Sequence, residues 1–400
     1  MATPTTTGFS AQAWLEQATP LESDEGILEQ QYADSIGRLP HSPPRHDMDK
    51  LTIYEILAQL ENTIQLLEHI DHFPTLVVSL SSTTINHTIW APTDAAFLKL
   101  YDVHKNLSKG FQEQILQHHI SPHLMPISRI LHTPNIPVLL CPPNLKGDQR
   151  LRLLPSLAGI QVNFDAHITE GDIIACNGVI HIIDSVVLPP PSMLQVVSLL
   201  PPGDFSVLQL ALRKTGLADE IANGPFKGGT LFAPNNSAFR NLGEALNAFL
   251  FSQDGENYLQ KLVKYHFVPN QTLYSNAFYK ALDLSTSENL PPLNPAVTPA
   301  AKAPNHSHRL IKGSKNFELP TYLEEHSLSV NITRFGGIIA MQVNGFTPVT
   351  LQDGVANNGI VHVVSSVLVP PREASLVKSD REESMVLSLK ELMSRFKGST

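Results

Sequence analysis

Cysteine is almost missing from this chain of 400 residues. Cys141 and Cys176 are the only two, too few for a disulfide framework. They form either one bridge or a pair of buried free thiols. Basic residues are also scarce: 28 Lys and Arg stand against 37 Asp and Glu, for a net charge of −9. With no basic stripe to offset that balance, nucleic acid is excluded as a partner. No apolar run approaches the length of about 18 residues that a membrane-spanning helix needs. The start, "MATPTTTGFSAQAWLEQATP", lacks the charged and apolar regions of a signal peptide, and "LKELMSRFKGST" lacks the tail of a lipid-anchor signal.

Chemistry-bearing motifs are equally sparse. There is no Gly-x-Ser-x-Gly elbow, and neither cysteine lies in a Cys/His nucleophile context. "GPFKGGT" lacks P-loop spacing and precedes a strand, so it reads as a turn. His118, His119 and His123 cluster locally, but no thiolate or carboxylate pair accompanies them at zinc-type spacing. The expectation is therefore no metal, no cofactor and a non-catalytic protein.

What the chain does have is repetition. "TIWAPTDAAFLKL" from Thr88 returns as "TLFAPNNSAFRNL" from Thr230; "ILQHHISP" from Ile115 returns as "LVKYHFVP" from Leu262. "NGVIHIIDSVVLPPP" from Asn177 returns as "NGIVHVVSSVLVPP" from Asn358. Three motifs in one order, twice, are a duplicated domain. Trp90 to Asn177 is 87 residues, but Phe232 to Asn358 is 126. The excess falls in a Pro-rich stretch at about 285–316, expected to be a solvated loop.

Each motif has a physical reading. In "TIWAP" and "TLFAP" a short β-branched and aromatic run ends at Pro, which stops a strand. Thr93-Asp94 and Asn235-Asn236-Ser237 are placed to cap the helix that follows, with Phe97 and Phe239 on its inner face. Asn177-Gly178 and Asn358-Gly359 make tight turns into nearly continuous apolar strands, which suits strands covered on both faces. His181 and His362, at one place in both strands, read as buried structural histidines hydrogen-bonded to backbone. Asp94 and Asp184 recur only as Asn236 and Ser365, which favours a cap and a strand-end contact over catalysis. Trp90, matched by Phe232, reads as core. Upstream, Ile53, Ile56, Leu57, Leu60, Ile64 and Leu67 form a helical stripe, and "SVLQLALRKTGLADEIA" repeats it in the second unit.

These residues give a tail over 1–47, a domain over 48–190, a second over 191–371 and an amphipathic C-terminal helix within 372–400. That helix carries Met385, Leu389, Leu392 and Phe396 on one stripe.

The ordered motif set resembles a tandem of fasciclin (FAS1) domains over roughly 48–371, closest in phrasing to two-domain proteins of filamentous fungi. The resemblance implies an α+β fold, each domain a wedge of twisted β-sheet with a small helical layer. It also implies an interaction module. Some fungal members act as auxiliary proteins in aromatic polyketide biosynthesis, often with laccase-type oxidases; other members mediate adhesion at cell surfaces. The groove between domains is the expected place for a partner protein, such as an oxidase, or a small aromatic metabolite. The Tyr-His pair associated with adhesion is complete only at Tyr265-His266, because His118 precedes His119 in the first copy. Tyr265, His266 and His119 are thus the candidate binding residues, although the place of the Tyr265-His266 pair at the end of an amphipathic segment favours packing against the Asn-Gly strand. Members of the family are usually exported, and six sequons, at Asn86, Asn106, Asn235, Asn270, Asn305 and Asn331, agree with a secreted glycoprotein. The start of the chain fits a cytosolic protein more simply, so both locations stay open.

Overall fold

The computed structural model describes residues 48–103, 107–156, 159–200, 203–277, 312–335, 338–371 and 388–396. Each repeat folds around one seven-stranded sheet. In the first domain the strands are β1 (His87–Pro92), β2 (Ile120–Ser121), β3 (Asn135–Pro137), β4 (Arg150–Ser156), β5 (Gly159–Val162), β6 (Ala166–Ala175) and β7 (Gly178–Ile183). Their spatial order is β2-β1-β7-β6-β5-β4-β3. The second domain has β8 (Gly229–Pro234), β9 (Phe267–Pro269), β10 (Lys312–Pro320), β11 (Ser327–Phe335), β12 (Ile338–Val343), β13 (Thr347–Ala356) and β14 (Gly359–Val364). Their order, β10-β11-β12-β13-β14-β8-β9, is the same arrangement read from the other end.

The repeated motifs lie together at the centre of each sheet. β1 runs parallel to β7 with Trp90 opposite His181; β8 runs parallel to β14 with Phe232 opposite His362. All four strands are buried along their whole length, as their unbroken apolar runs require. The remaining neighbours pair antiparallel, and β6 and β13 each carry a register shift before meeting the central strand. The Asn-Gly turns enter β7 and β14. At Gly178 an added Cβ would stand 2.0 Å from the His87 carbonyl oxygen, so only glycine allows the strands to approach there.

The turn asparagines also anchor the helical layer. Asn177 Oδ1 accepts from Ile53 N at 2.8 Å, and Asn358 Oδ1 accepts from Met193 N at 2.9 Å. Each receives an otherwise orphaned amide at the start of its domain's first helix, Ile53–Leu57 or Met193–Leu199. Thr93 and Asn235 cap the helices they precede, through Ala96 N and Ala238 N. Asp94 and Asn236 do something the spacing does not reveal. They reach across to cap an earlier helix, accepting from Gln65 N at 2.8 Å and Val207 N at 3.0 Å.

Three sequence expectations change. The leading apolar stripe is three short helices, Ile53–Leu57, Ile64–Asp71 and Pro74–Ser81. Their inner faces carry Leu66, Ile70, Leu76 and Leu80, while Ile64 is 52 % exposed because the turns between helices reset the phase. The Pro-rich loop ends sooner than 316, since β10 begins at Lys312 and pairs with β11; the rest of that loop lies outside the described residues. Cys141 and Cys176 are free and both exposed, so neither a bridge nor a buried pair is present: Cys141 lies against Asp148, and Cys176 occupies the turn between β6 and β7.

The tail over 1–47 and Met385 lie outside the described residues. Within the C-terminal segment, helix Leu389–Arg395 docks on the second domain. Leu392 and Phe396 join its core, and Arg395 donates to the Pro370 carbonyl. Among the described residues no helix is long and apolar enough to cross a membrane.

Candidate binding site

The motif histidines occupy fixed positions in the two cores. His119 Nδ1 lies 2.7 Å from the Ile115 carbonyl and its Nε2 accepts from Val187 N at 3.0 Å. His266 repeats this with the Leu262 carbonyl at 2.7 Å and Leu368 N at 2.8 Å. A ring that receives an amide on Nε2 and faces a carbonyl with Nδ1 is neutral and protonated on Nδ1. Burial draws both pKa values down to about 4, only partly offset by the carbonyl bond.

His181 and His362 hold the opposite tautomer. Their Nε2 atoms face the Met125 and Leu273 carbonyls at 2.7 and 2.8 Å, while Nδ1 accepts from Asp172 N and Asp353 N. Burial lowers these pKa values as well. All four rings spend both nitrogens on backbone. None has a nitrogen left to ligate a metal or relay a proton.

Tyr265 and its counterpart His118 form a second matched pair. The Tyr265 hydroxyl donates to the Ser327 carbonyl at 3.2 Å and accepts from Asn344 Nδ2 at 3.0 Å. His118 Nε2 lies 3.5 Å from Asn163 Nδ2, and Asn163 and Asn344 are equivalent hairpin residues with positive φ. Burial pushes Tyr265 up to about 12 and His118 down to about 3. Tyr265 is 0 % exposed and His266 2 %. The structure therefore puts Tyr265, His266 and His119 inside the domains, each held by its own chain. No group of three potential metal ligands gathers among the described residues.

The junction between domains holds the polar residues that sequence patterns did not pick out. Asp353, 1 % exposed, accepts from Ser275 N at 2.9 Å, from the Ser275 hydroxyl, and from Asn135 Nδ2 of the first domain at 2.8 Å. Arg150 donates to Asn135 Oδ1 at 2.6 Å and to Asn276 Oδ1 at 3.2 Å, and stacks over Tyr274 at 4.2 Å. Arg152 and Gln149 donate to the Gln352 and Ala356 carbonyls, and Arg334 donates back to the His132 carbonyl. One signal could have found Asp353: an aspartate stands nine residues before the motif histidine in both copies, Asp172 and Asp353, each on the register shift with positive φ.

Beside this junction lies a cavity of about 150 Å³. Asn144 of the first domain borders it, its carbonyl accepting from Gly228 N at 2.8 Å. The second domain supplies Asn223, Gly224, Asn358 and the rings of Phe226 and Phe267, which meet edge-on at 5.5 Å. The volume is that of a single aromatic ring. A smaller apolar cavity of about 20 Å³, beside His69 and Tyr101 in the first domain, has room for about one water.

Comparison with known proteins agrees with this duplicated architecture. The fasciclin domain model matches residues 58–189 and again 203–370. Aurofusarin biosynthesis cluster protein S of Gibberella zeae is 27 % identical over 361 residues, covering 84 % of this chain and 81 % of that protein. A fasciclin-like arabinogalactan protein of Arthroderma benhamiae is 28 % identical over 199 residues, which is 50 % of this chain and 35 % of that protein. Human periostin is 24 % identical over 293 residues, 73 % of this chain but 29 % of periostin. A solved FAS1 domain pair from the insect cell adhesion molecule fasciclin I covers 79 % of this chain and 95 % of its own. Its identity is 18 % and its TM-score 0.36, too low to bear on how the domains sit. The two family matches span well over half of the sequence and coincide with the two sheets: this chain belongs to the fasciclin-domain family.

Proposed function

We propose that this protein is a non-catalytic auxiliary factor in fungal aromatic-polyketide biosynthesis, holding an aromatic intermediate at the domain junction for a laccase-type oxidase. The observation that carries the reading is the alignment, along most of both chains, with a protein named for a biosynthesis cluster. Two structural features support it. The motif histidines are fully used by backbone, which leaves binding rather than acid–base chemistry as the work of these domains. The junction also offers a cavity of ring size beside the Phe226 ring. An adhesion role centred on Tyr265-His266 gains nothing from their burial.

The test is a mass-spectrometric comparison of metabolites from the source organism with and without the gene. The expected result is loss of a coupled aromatic product with accumulation of its monomeric precursor. An unchanged profile in cultures that express the gene overturns the reading.

We further propose that the protein enters the secretory pathway, with a cytosolic location as the alternative. Asn86 and Asn270 are exposed sequon asparagines, whereas Asn235 sits at a helix cap and Asn331 within β11; Asn106 and Asn305 lie outside the described residues. Glycosidase treatment of the native protein is expected to increase its gel mobility, with a smaller change for Asn86→Gln. No change in the wild-type protein removes the secretory assignment.

A further inference from the structure

The two copies of the Asn-Gly turn differ in one respect that the rest of the repeat does not explain. In the first domain Asn177 is fully buried, and its Nδ2 donates to the Leu80 and Ser82 carbonyls at 2.8 Å each. Those carbonyls end helix Pro74–Ser81. Next to them, the His87 ring contacts Ser79 Oγ at 2.7 Å and so ties that helix to β1. The corner is closed by its own chain.

In the second domain Asn358 keeps the Oδ1 bond to Met193 N, but its Nδ2 has no partner among the described residues. The corresponding helix is Leu217–Asn223, ending at Gly224. Counting back from the strand, Ala222 and Gly224 stand where Leu80 and Ser82 stand in the first domain. Gly229 replaces His87, so the side-chain tie between helix and strand is missing. Where the first domain has hydrogen bonds, the second has the 150 Å³ cavity, bordered by Asn358, Ala222, Asn223 and Gly224.

We infer that this cavity binds a neutral hydroxylated aromatic ring. The inference rests on the auxiliary-factor reading for its biology but on the geometry for its chemistry. One oxygen of the ligand accepts from Asn358 Nδ2, replacing the acceptors that Asn177 finds in its own chain. A hydroxyl donates to a carbonyl at the end of helix Leu217–Asn223, where Glu220 O is taken by Gly224 N and the carbonyls after it lie beyond the reach of the helix's own amides. The Phe226 ring, backed edge-on by the fully buried Phe267, borders the apolar part of the ligand. Because a helix C-terminus carries partial negative charge, a carboxylate or phenolate is disfavoured in the same place.

The experiment is a titration of the full chain with resorcinol, toluene and benzoate, followed by ligand-observed NMR and calorimetry. Resorcinol should bind with a dissociation constant of about millimolar order, as its few heavy atoms allow, and more tightly than either of the others. Asn358→Asp retains the Oδ1 bond to Met193 N but removes the donor, and should weaken resorcinol binding at least tenfold. Ala222→Leu, at an exposed helix position, fills the cavity and should abolish binding without lowering the thermal midpoint. If Asn358→Asp does not fold, Ala222→Leu decides the question alone. Absence of resorcinol binding, equal binding of toluene, or full binding by Ala222→Leu overturns the inference. None of those outcomes depends on the metabolite profile, so failure of the cavity and failure of the pathway reading are told apart.

Discussion

Acidification should unfold this protein well above the pH at which its carboxylates titrate. His119 and His266 have pKa values near 4, and His118 near 3, against an ordinary 6.5. The folded state thus holds them neutral while the unfolded chain binds protons first. Their contribution is fully present above pH 6.5 and is lost as pH falls from there toward 4, because in that window the unfolded state carries more protons. Each is worth about 3 kcal/mol or more at the low-pH limit. Three such groups together rival the whole stability of an ordinary domain, so the fold should open before they finish titrating. His69, His87, His181 and His362 shift in the same direction.

The measurement is the urea unfolding midpoint from pH 8 to pH 4. A plateau above pH 7 and a steep fall between about 6 and 4.5 are expected. His118→Tyr, which copies the second domain's residue, should flatten the fall by removing the most depressed of the three. A midpoint that stays level from pH 7 to pH 5 would contradict the buried neutral tautomers.

The second large effect is expected at Asp353. Its carboxylate accepts three hydrogen bonds, one of them from the other domain, in a site closed to water. Asp353→Ala strands Ser275 N, the Ser275 hydroxyl and Asn135 Nδ2 without an acceptor. It also places alanine at a positive φ of 59°. The cost should be about 3–5 kcal/mol. Asp172 is the same residue in the other repeat, half-buried, with Ile127 N as its side-chain partner at 2.9 Å. Asp172→Ala should cost no more than about 1–2 kcal/mol. Scanning calorimetry should show Asp353→Ala separating the unfolding of the two domains, and Asp172→Ala leaving their coupling intact. Equal losses from the two variants would mean that the junction does not depend on this carboxylate.

Much of the architecture could be read before any coordinates. Duplication followed from three ordered motifs, and burial of the central strands followed from "VIHII" and "IVHVV". Core positions for Trp90, Phe232, His181 and His362 followed from their recurrence inside those runs. These are properties of short segments, where side-chain alternation and local caps act over a few residues. The break in the first apolar stripe was harder, because two turns shift helical phase without changing the apolar count. The strand at Lys312–Pro320 was hidden because Ser314, Lys315 and Asn316 are all exposed, so this stretch carries no alternation of buried and exposed residues.

The candidate site was less legible, for a definite reason. Sequence alone determined that this protein is two copies of one α+β domain, with His181 and His362 in the cores and no motif for covalent chemistry. Only the tertiary structure decided which copy of a shared residue is closed and which is open. Asp172 and Asp353 share a register shift, yet only Asp353 meets Asn135, 218 residues away. Asn177 and Asn358 share a turn, yet among the described residues only Asn177 finds carbonyls for its amide, 97 and 95 residues away. The cost of burying a polar group, and its freedom to bind a ligand, depend on partners that folding brings from elsewhere in the chain.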